Sequence, residues 1–117
     1  MRIAANIAIG FVAAEHVFIL ILEMFLWTKP FGRRVFGLTP ELAQSSRVLA
    51  ANQGLYNGFL AAGLIWSLII GSSAASLFFL GCVVAAGIFG AITAKASILW
   101  TQGLPAAIAL VLVLLAR

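Results

Sequence analysis

The stretch IAANIAIGFVAAEHVFILILEMFLW, from Ile3 to Trp27, decides the fold. A helix that crosses a bilayer needs about 20 mostly apolar residues, and this run exceeds that length. Three further apolar runs follow, at Val48–Ile70, Ala74–Ala94 and Ser97–Ala116. Because a backbone in lipid must satisfy its own hydrogen bonds, each run is predicted to be a helix. The predicted fold is an all-α, integral membrane four-helix bundle, a single transmembrane domain over residues 1–117.

Composition leads to the same class. Hydrophobic residues make up 64% of the 117-residue chain, charged residues 9%, and the mean hydropathy is +1.19. Soluble domains average about 45–50% apolar and about 25% charged residues, so a lipid bilayer is the predicted main partner. The net charge of +4 comes from only seven basic residues at the ends of apolar runs, which argues against nucleic-acid binding.

The link 28–46 is the only long one, and it mixes basic and apolar residues as interfacial segments do. Thr39 and Pro40 are typical of a helix start, with a capping hydroxyl followed by proline. Pro105 predicts a kink in the fourth run, or a shorter helix that begins after Gly103. Of the three boundaries between the four runs, the one at Lys95–Ala96 is the least defined.

Basic residues also predict the orientation. Five lie on the side of the first and third links, namely Lys29, Arg33, Arg34, Arg47 and Lys95. Two, Arg2 and Arg117, lie on the side of the termini. The positive-inside rule therefore predicts a cytoplasmic link and both termini outside, in a bacterial inner membrane.

Polar side chains within the apolar runs are the candidate functional residues. Glu15, His16 and Glu23 border one stripe of the first helix, and ionisable groups at such depth are costly. Asn52, Gln53, Tyr56 and Asn57 cluster in the second helix, where Gly54 and Gly58 give a GxxxG spacing. With Gln102, these side chains are predicted to line a polar pocket that opens to the cytoplasm. Its basic rim is Arg33, Arg34, Arg47 and Lys95, which attracts anions.

Several functions fit this pocket. One is a binding or enzyme site for a small amphipathic or anionic molecule. Glu15 and His16 near mid-membrane also fit a proton-coupled transporter or transporter subunit. The third alternative is a structural protein whose polar groups only hold helices together. One histidine and no cysteine pair predict no metal site, and no cofactor motif is present.

Certain motifs resemble a known family. These are Glu15-His16, Leu22–Trp27, Phe36-Gly37-Leu38, the run from Ala50 to Gly58, and Gln102–Ala106. Together they are similar to the bacterial membrane proteins called domain of unknown function 1304. That resemblance covers nearly the whole chain and implies a four-helix inner-membrane protein without an assigned activity.

A weaker likeness is to the membrane-associated eicosanoid and glutathione metabolism superfamily, which also has four helices and a cytoplasmic first link. It implies roles for Arg47 and for Asn52 or Asn57, and it implies a homo-oligomer, since that superfamily forms trimers. The acidic residue that accompanies the asparagine in that superfamily is absent from this sequence.

Overall fold

The computed structural model describes residues 1–117, and its regular structure is entirely helical. The helices are α1 (Arg2–Met24), α2 (Pro30–Phe36), α3 (Pro40–Ser45), α4 (Arg47–Ile70), α5 (Ser73–Thr93) and α6 (Leu104–Ala116), with a π-helical turn at Leu99–Gly103. The predicted all-α class is confirmed.

Four of these segments are long and apolar enough to cross a membrane. They are α1, α4, α5 and the stretch Leu99–Ala116. The mean hydropathy of the 18-residue window in each is 2.0, 1.3, 2.3 and 2.0, in that order. The shortest has 18 residues, which corresponds to about 27 Å of helix and approaches the thickness of a hydrocarbon core. The chain thus has the four apolar helices that composition predicted.

The ends of these four segments differ from the ends of the four predicted runs by up to three residues. The largest difference is at α1, which ends at Met24 rather than at Trp27. The reason is a turn in which the Leu26 amide bonds to the Ile21 carbonyl and the Lys29 amide bonds to the Leu26 carbonyl. Trp27 therefore belongs to the link and not to the spanning helix.

The fourth run, predicted as one helix over 97–116, begins with the π-helical turn. There the Leu104 amide bonds to the Leu99 carbonyl, five residues back. Pro105, the second residue of α6, has no amide hydrogen for the carbonyl four residues before it, so regular α-helical bonding fails at this point. The wider turn accommodates the missing bond without breaking the helix.

Internal contacts divide the chain into two compact units, each of which is described by itself. Unit 1 comprises residues 1–14 and 60–117, and unit 2 comprises residues 15–59.

Unit 1 is a four-helix bundle around an apolar core. Its buried residues come from all four spanning segments and include Ile9 and Val12 of α1, Leu64 of α4, Leu80 of α5 and Val113 of α6. Small residues allow close packing, since a Cβ added to Gly87 of α5 would lie 2.8 Å from the Gly103 Cα in the π-helical turn. Such contacts are the usual basis of helix association in lipid.

Unit 2 contains the structured link. Gly37, which adopts the left-handed conformation, caps the C-terminal end of α2. Thr39 caps the N-terminal end of α3, and its hydroxyl accepts a hydrogen bond from the Leu42 amide. The helix start predicted at Thr39-Pro40 is confirmed. Ser46 separates α3 from α4, so the helix that begins at Pro40 does not run on into the span.

Candidate functional site

The best-defined polar contact of unit 2 joins α1 to α4. The amide nitrogen of Asn57 donates a 2.6 Å hydrogen bond to Glu23 Oε1, and both residues are half-buried. The other Glu23 oxygen and the Asn57 carbonyl oxygen receive no hydrogen bond from the protein. The pair therefore retains two acceptors for a hydrogen-bond donor.

The position of the pair follows from the close approach of α1 and α4. A Cβ added to Gly54 would lie 2.6 Å from Met24 Cγ and 3.1 Å from Glu23 Cβ. Gly58, one turn later, faces Leu20 in the same way. The GxxxG spacing of α4 thus forms the surface on which α1 packs in unit 2, and Asn57 lies beside it.

Glu15 and His16 lie deeper in α1. Glu15 Oε1 is buried and has no hydrogen-bond partner, whereas the His16 side chain is 1% exposed and does interact with other protein groups. A buried acceptor without a donor is rare in native structures because its desolvation is not compensated. The desolvation of Glu15 Oε1 is therefore not compensated by any group of the chain.

The predicted cluster on α4 divides between different faces of the helix. Asn52, Gln53 and Tyr56 are exposed, and the Asn52 amide donates to the Val48 carbonyl of its own helix. Tyr56 is 60% exposed and contacts the Phe59 ring edge-on, with the centroids 6.0 Å apart. At about 100° per residue, Asn52 and Tyr56 point roughly 160° away from Gly54, so they do not meet Glu23. Their contact with a ligand stays a prediction.

The basic residues of unit 2 have different environments. Arg33 is half-buried in α2, and its Nε is buried with no hydrogen-bond partner. Arg34 is exposed, with its guanidinium carbon 5.9 Å from the Phe31 ring centroid, and Arg47 is exposed at the start of α4. Arg33 is thus the member of the predicted basic rim that has a buried donor without a partner.

Two predicted residues belong to unit 1. Lys95 is exposed just after α5, and Gln102 is half-buried within the π-helical turn. π-helical turns occur often at functional sites, but the Gln102 amide makes no side-chain hydrogen bond within the protein. Both assignments stay predictions.

The sequence did not predict a hydrogen bond between the two ends of the link, from Trp27 to Ser46. The Trp27 indole nitrogen donates to Ser46 Oγ at 3.0 Å, and the Trp27 ring packs on Phe36 with the centroids 4.9 Å apart. A tryptophan near an interface suggests an anchor, yet its partner depends on the break between α3 and α4, for which the sequence carries no clear signal.

Several polar atoms of unit 2 have no hydrogen-bond partner within the chain. Within unit 2, acceptors without a partner on Glu15, Glu23 and Asn57 coexist with one buried donor without a partner, Arg33 Nε. No group of three or more histidine, cysteine or acidic side chains is positioned to hold a metal ion. These groups can accept from an amine or hydroxyl, and Arg33 can donate to an anion.

Comparison with known proteins establishes the family. The chain belongs to the family described as "Protein of unknown function (DUF1304)", whose sequence model matches residues 10–114. A relative, "Uncharacterized protein YpaA" of Lactococcus lactis subsp. lactis (strain IL1403), is 33% identical over 104 residues, which cover 86% of this chain and 87% of that protein. No solved structure matches the chain. The resemblance to this family drawn from the sequence motifs is confirmed.

Proposed function

We propose that this chain is a membrane protein that binds a small amphipathic molecule through Glu15, Glu23 and Asn57. The proposed location is the bacterial cell membrane, with the ligand taken up from the cytoplasmic side and both termini outside. The observation that carries the proposal is the buried Glu15 Oε1, which has no hydrogen-bond partner in the protein. A ligand that donates a hydrogen bond there would compensate the desolvation of that oxygen.

The surroundings support an amphipathic ligand. Glu15 and Glu23 lie on α1, which is long and apolar enough to cross a membrane. A molecule that reaches either carboxylate within such a helix needs an apolar body and a polar end with a hydrogen-bond donor. Amines and alcohols with a hydrocarbon portion satisfy both requirements.

An anionic group on the ligand is supported by Arg33. Its buried Nε lacks a partner, and guanidinium groups bind carboxylate and phosphate oxygens well. Arg34, the next residue, is exposed and serves as the matched control. If the ligand is anionic, Arg33→Gln lowers its retention, whereas Arg34→Gln changes the charge equally and leaves retention unchanged.

The test is native mass spectrometry of the protein released from lipid nanodiscs. We expect a non-lipid adduct of defined mass on the unmodified chain and on Glu41→Gln, an exposed acidic residue of α3. The adduct is expected to disappear in Glu15→Gln and to weaken in Glu23→Gln. Identical adducts in all four proteins, or none in any, would contradict the proposal. The same spectra count subunits and so test the proposed homo-oligomer.

Proton-coupled transport is the second candidate, and Glu15 is again the residue that favours it. An ionisable group inside a spanning helix is a common element of proton pathways. Liposomes that contain the protein and a pH-sensitive dye test it, with Glu15→Gln compared to Glu41→Gln. Substrate-dependent acidification that is lost only in Glu15→Gln would support transport.

The structural alternative predicts a different result. If the polar groups only hold α1 and α4 together, Glu15→Gln and Glu23→Gln both lower the unfolding temperature and neither changes any adduct. Loss of an adduct without loss of thermal stability separates binding from helix packing.

A further inference from the structure

A polar cavity of about 120 Å³ lies in unit 1, where α1 begins and α4 turns into α5. Its polar lining consists of Arg2, Asn6, Ser67, Ser72 and Ser76. None of these residues belongs to the polar groups of unit 2 described above. We propose that this cavity binds a phosphate group, that of a phospholipid headgroup, with Arg2 as the principal contact.

The Arg2 guanidinium is fixed in place and still has donors available. Its Nη2 donates to Ser73 Oγ at 3.0 Å, which orients the group at the N-terminal end of α1. A guanidinium carries five N–H donors, so several remain for an anion. Arginine matches phosphate because two of these donors can bind two oxygens at once.

The remaining lining supports an anion rather than a cation. No carboxylate lines the cavity, and Asn6 contributes an amide. Ser72 Oγ accepts from the Ala75 amide, which leaves its own hydroxyl hydrogen free to donate. Arg2, Asn6 and Ser72 together offer a positive charge and at least three kinds of donor.

The inner wall is built from two buried hydroxyls. Ser67 and Ser76 are 1% and 2% exposed, and Ser76 donates to Ser67 Oγ at 2.9 Å. Ser67 in turn donates to the Leu64 carbonyl at 2.7 Å. This chain of bonds gives the cavity a fixed polar wall next to the apolar core of unit 1.

The cavity lies at the ends of helices that are long and apolar enough to cross a membrane. It is formed where a spanning helix begins at Arg2 and where the α4–α5 turn occupies residues 71 and 72. Ends of spanning helices lie at the interface between hydrocarbon and headgroups. A phospholipid beside the bundle can therefore place its phosphate in the cavity while its acyl chains remain in the bilayer.

The experiment is a lipid titration followed by native mass spectrometry in detergent, with phosphatidylglycerol as the probe. We expect one tightly retained lipid on the unmodified chain and about tenfold weaker retention in Arg2→Gln, as for loss of a charged hydrogen bond. Arg117→Gln is the matched control, because this basic residue lies at the C-terminal end of α6 and does not line the cavity. Its retention is expected to be unchanged.

Inorganic phosphate distinguishes the source of the group. If millimolar phosphate displaces the lipid, the cavity is assigned to free phosphate. If the lipid stays bound in the presence of phosphate, the cavity is assigned to the phospholipid headgroup. Equal lipid retention in the unmodified chain, Arg2→Gln and Arg117→Gln overturns the proposal. If Arg2→Gln does not fold, Asn6→Leu replaces it, and undiminished retention in that variant overturns the proposal as well.

Discussion

The amide of Asn57 donates a hydrogen bond to Glu23 Oε1 and thereby joins α4 to α1 across 34 positions of sequence. Within helices that are mostly apolar, a carboxylate paired with an amide resists separation, because each partner would be left without a hydrogen bond. The same pair keeps two acceptors unfilled. It can therefore hold the helices together and also recognise a donor, and the two roles make different predictions for variants.

Replacement of Asn57 tests the stabilising role of this bond. Asn57→Leu keeps a similar volume but removes the donor, so we expect the free energy of unfolding in detergent to fall by about 1–2 kcal/mol. Asn52→Leu is the matched control, since the Asn52 amide bonds only to the Val48 carbonyl of its own helix and is exposed. Equal stability of the two variants in chemical denaturation would contradict a stabilising role for the Glu23–Asn57 bond.

Gly54 tests the packing beneath that pair. In Gly54→Ala the new methyl would press on Met24 Cγ, on Glu23 Cβ and, at 3.3 Å, on the Leu20 carbonyl oxygen. Met24 can move, but the other two contacts are at or near the backbone, so we expect a loss of about 1–3 kcal/mol of stability.

Gly10→Ala is the control for that experiment. No atom lies within 4 Å of a Cβ added at Gly10 of α1, and alanine is the better helix former by up to about 1 kcal/mol. We therefore expect Gly10→Ala to be neutral or stabilising in the same denaturation experiment. A Gly54→Ala protein as stable as Gly10→Ala would show that α1 and α4 are free to separate slightly.

The bond from Trp27 to Ser46 predicts how firmly the link is held. Ser46→Ala removes the acceptor of the Trp27 indole N–H. We expect the closed state of the link to lose about 1 kcal/mol of stability, which corresponds to a roughly fivefold larger population of the open link. Trypsin cleavage after Arg33 and Arg34, measured on the protein in liposomes, reports this opening.

Ser45→Ala provides the matched control for the link. Ser45 and Ser46 both donate to the Leu42 carbonyl, but only Ser46 also accepts from Trp27. Cleavage in Ser45→Ala is expected to match that of the unmodified chain. If both variants are cleaved at the same increased rate, the bond to the Leu42 carbonyl matters and the Trp27 bond does not.

The sequence predicts the apolar helices well because length and hydropathy are local properties. The start of α3 was predictable for the same reason, since the cap at Thr39 and the proline after it act within one turn. The partner of Glu23 was not predictable. Helical periodicity predicts which residues of α4 share a face, but it does not predict which face packs against α1. Only the fold shows that Asn57, and not Asn52, is the partner of Glu23.

The same limit explains the ends of α1 and of the fourth run. Residues 25–27 are as apolar as those before them, so hydropathy extends α1 to Trp27, whereas the hydrogen bonds of the turn end it at Met24. Pro105 predicts an irregularity in the fourth run. Its form, a π-helical turn in which Gly103 lies close to Gly87 of α5, involves a contact between helices that the local sequence does not specify.

The orientation in the membrane is the last prediction, and it follows from charge. Five basic residues lie on the side of the link and two on the side of the termini, so the link is expected in the cytoplasm. In a Cys82→Ala background, Gln44→Cys places a single thiol on exposed α3, and Arg117→Cys places one at the C-terminal end. A membrane-impermeant maleimide should label position 117 in intact cells, and position 44 only after the cells are permeabilised. Labelling of position 44 in intact cells would reverse the orientation and would move the proposed ligand entry to the outer face, because Glu23 lies next to the link.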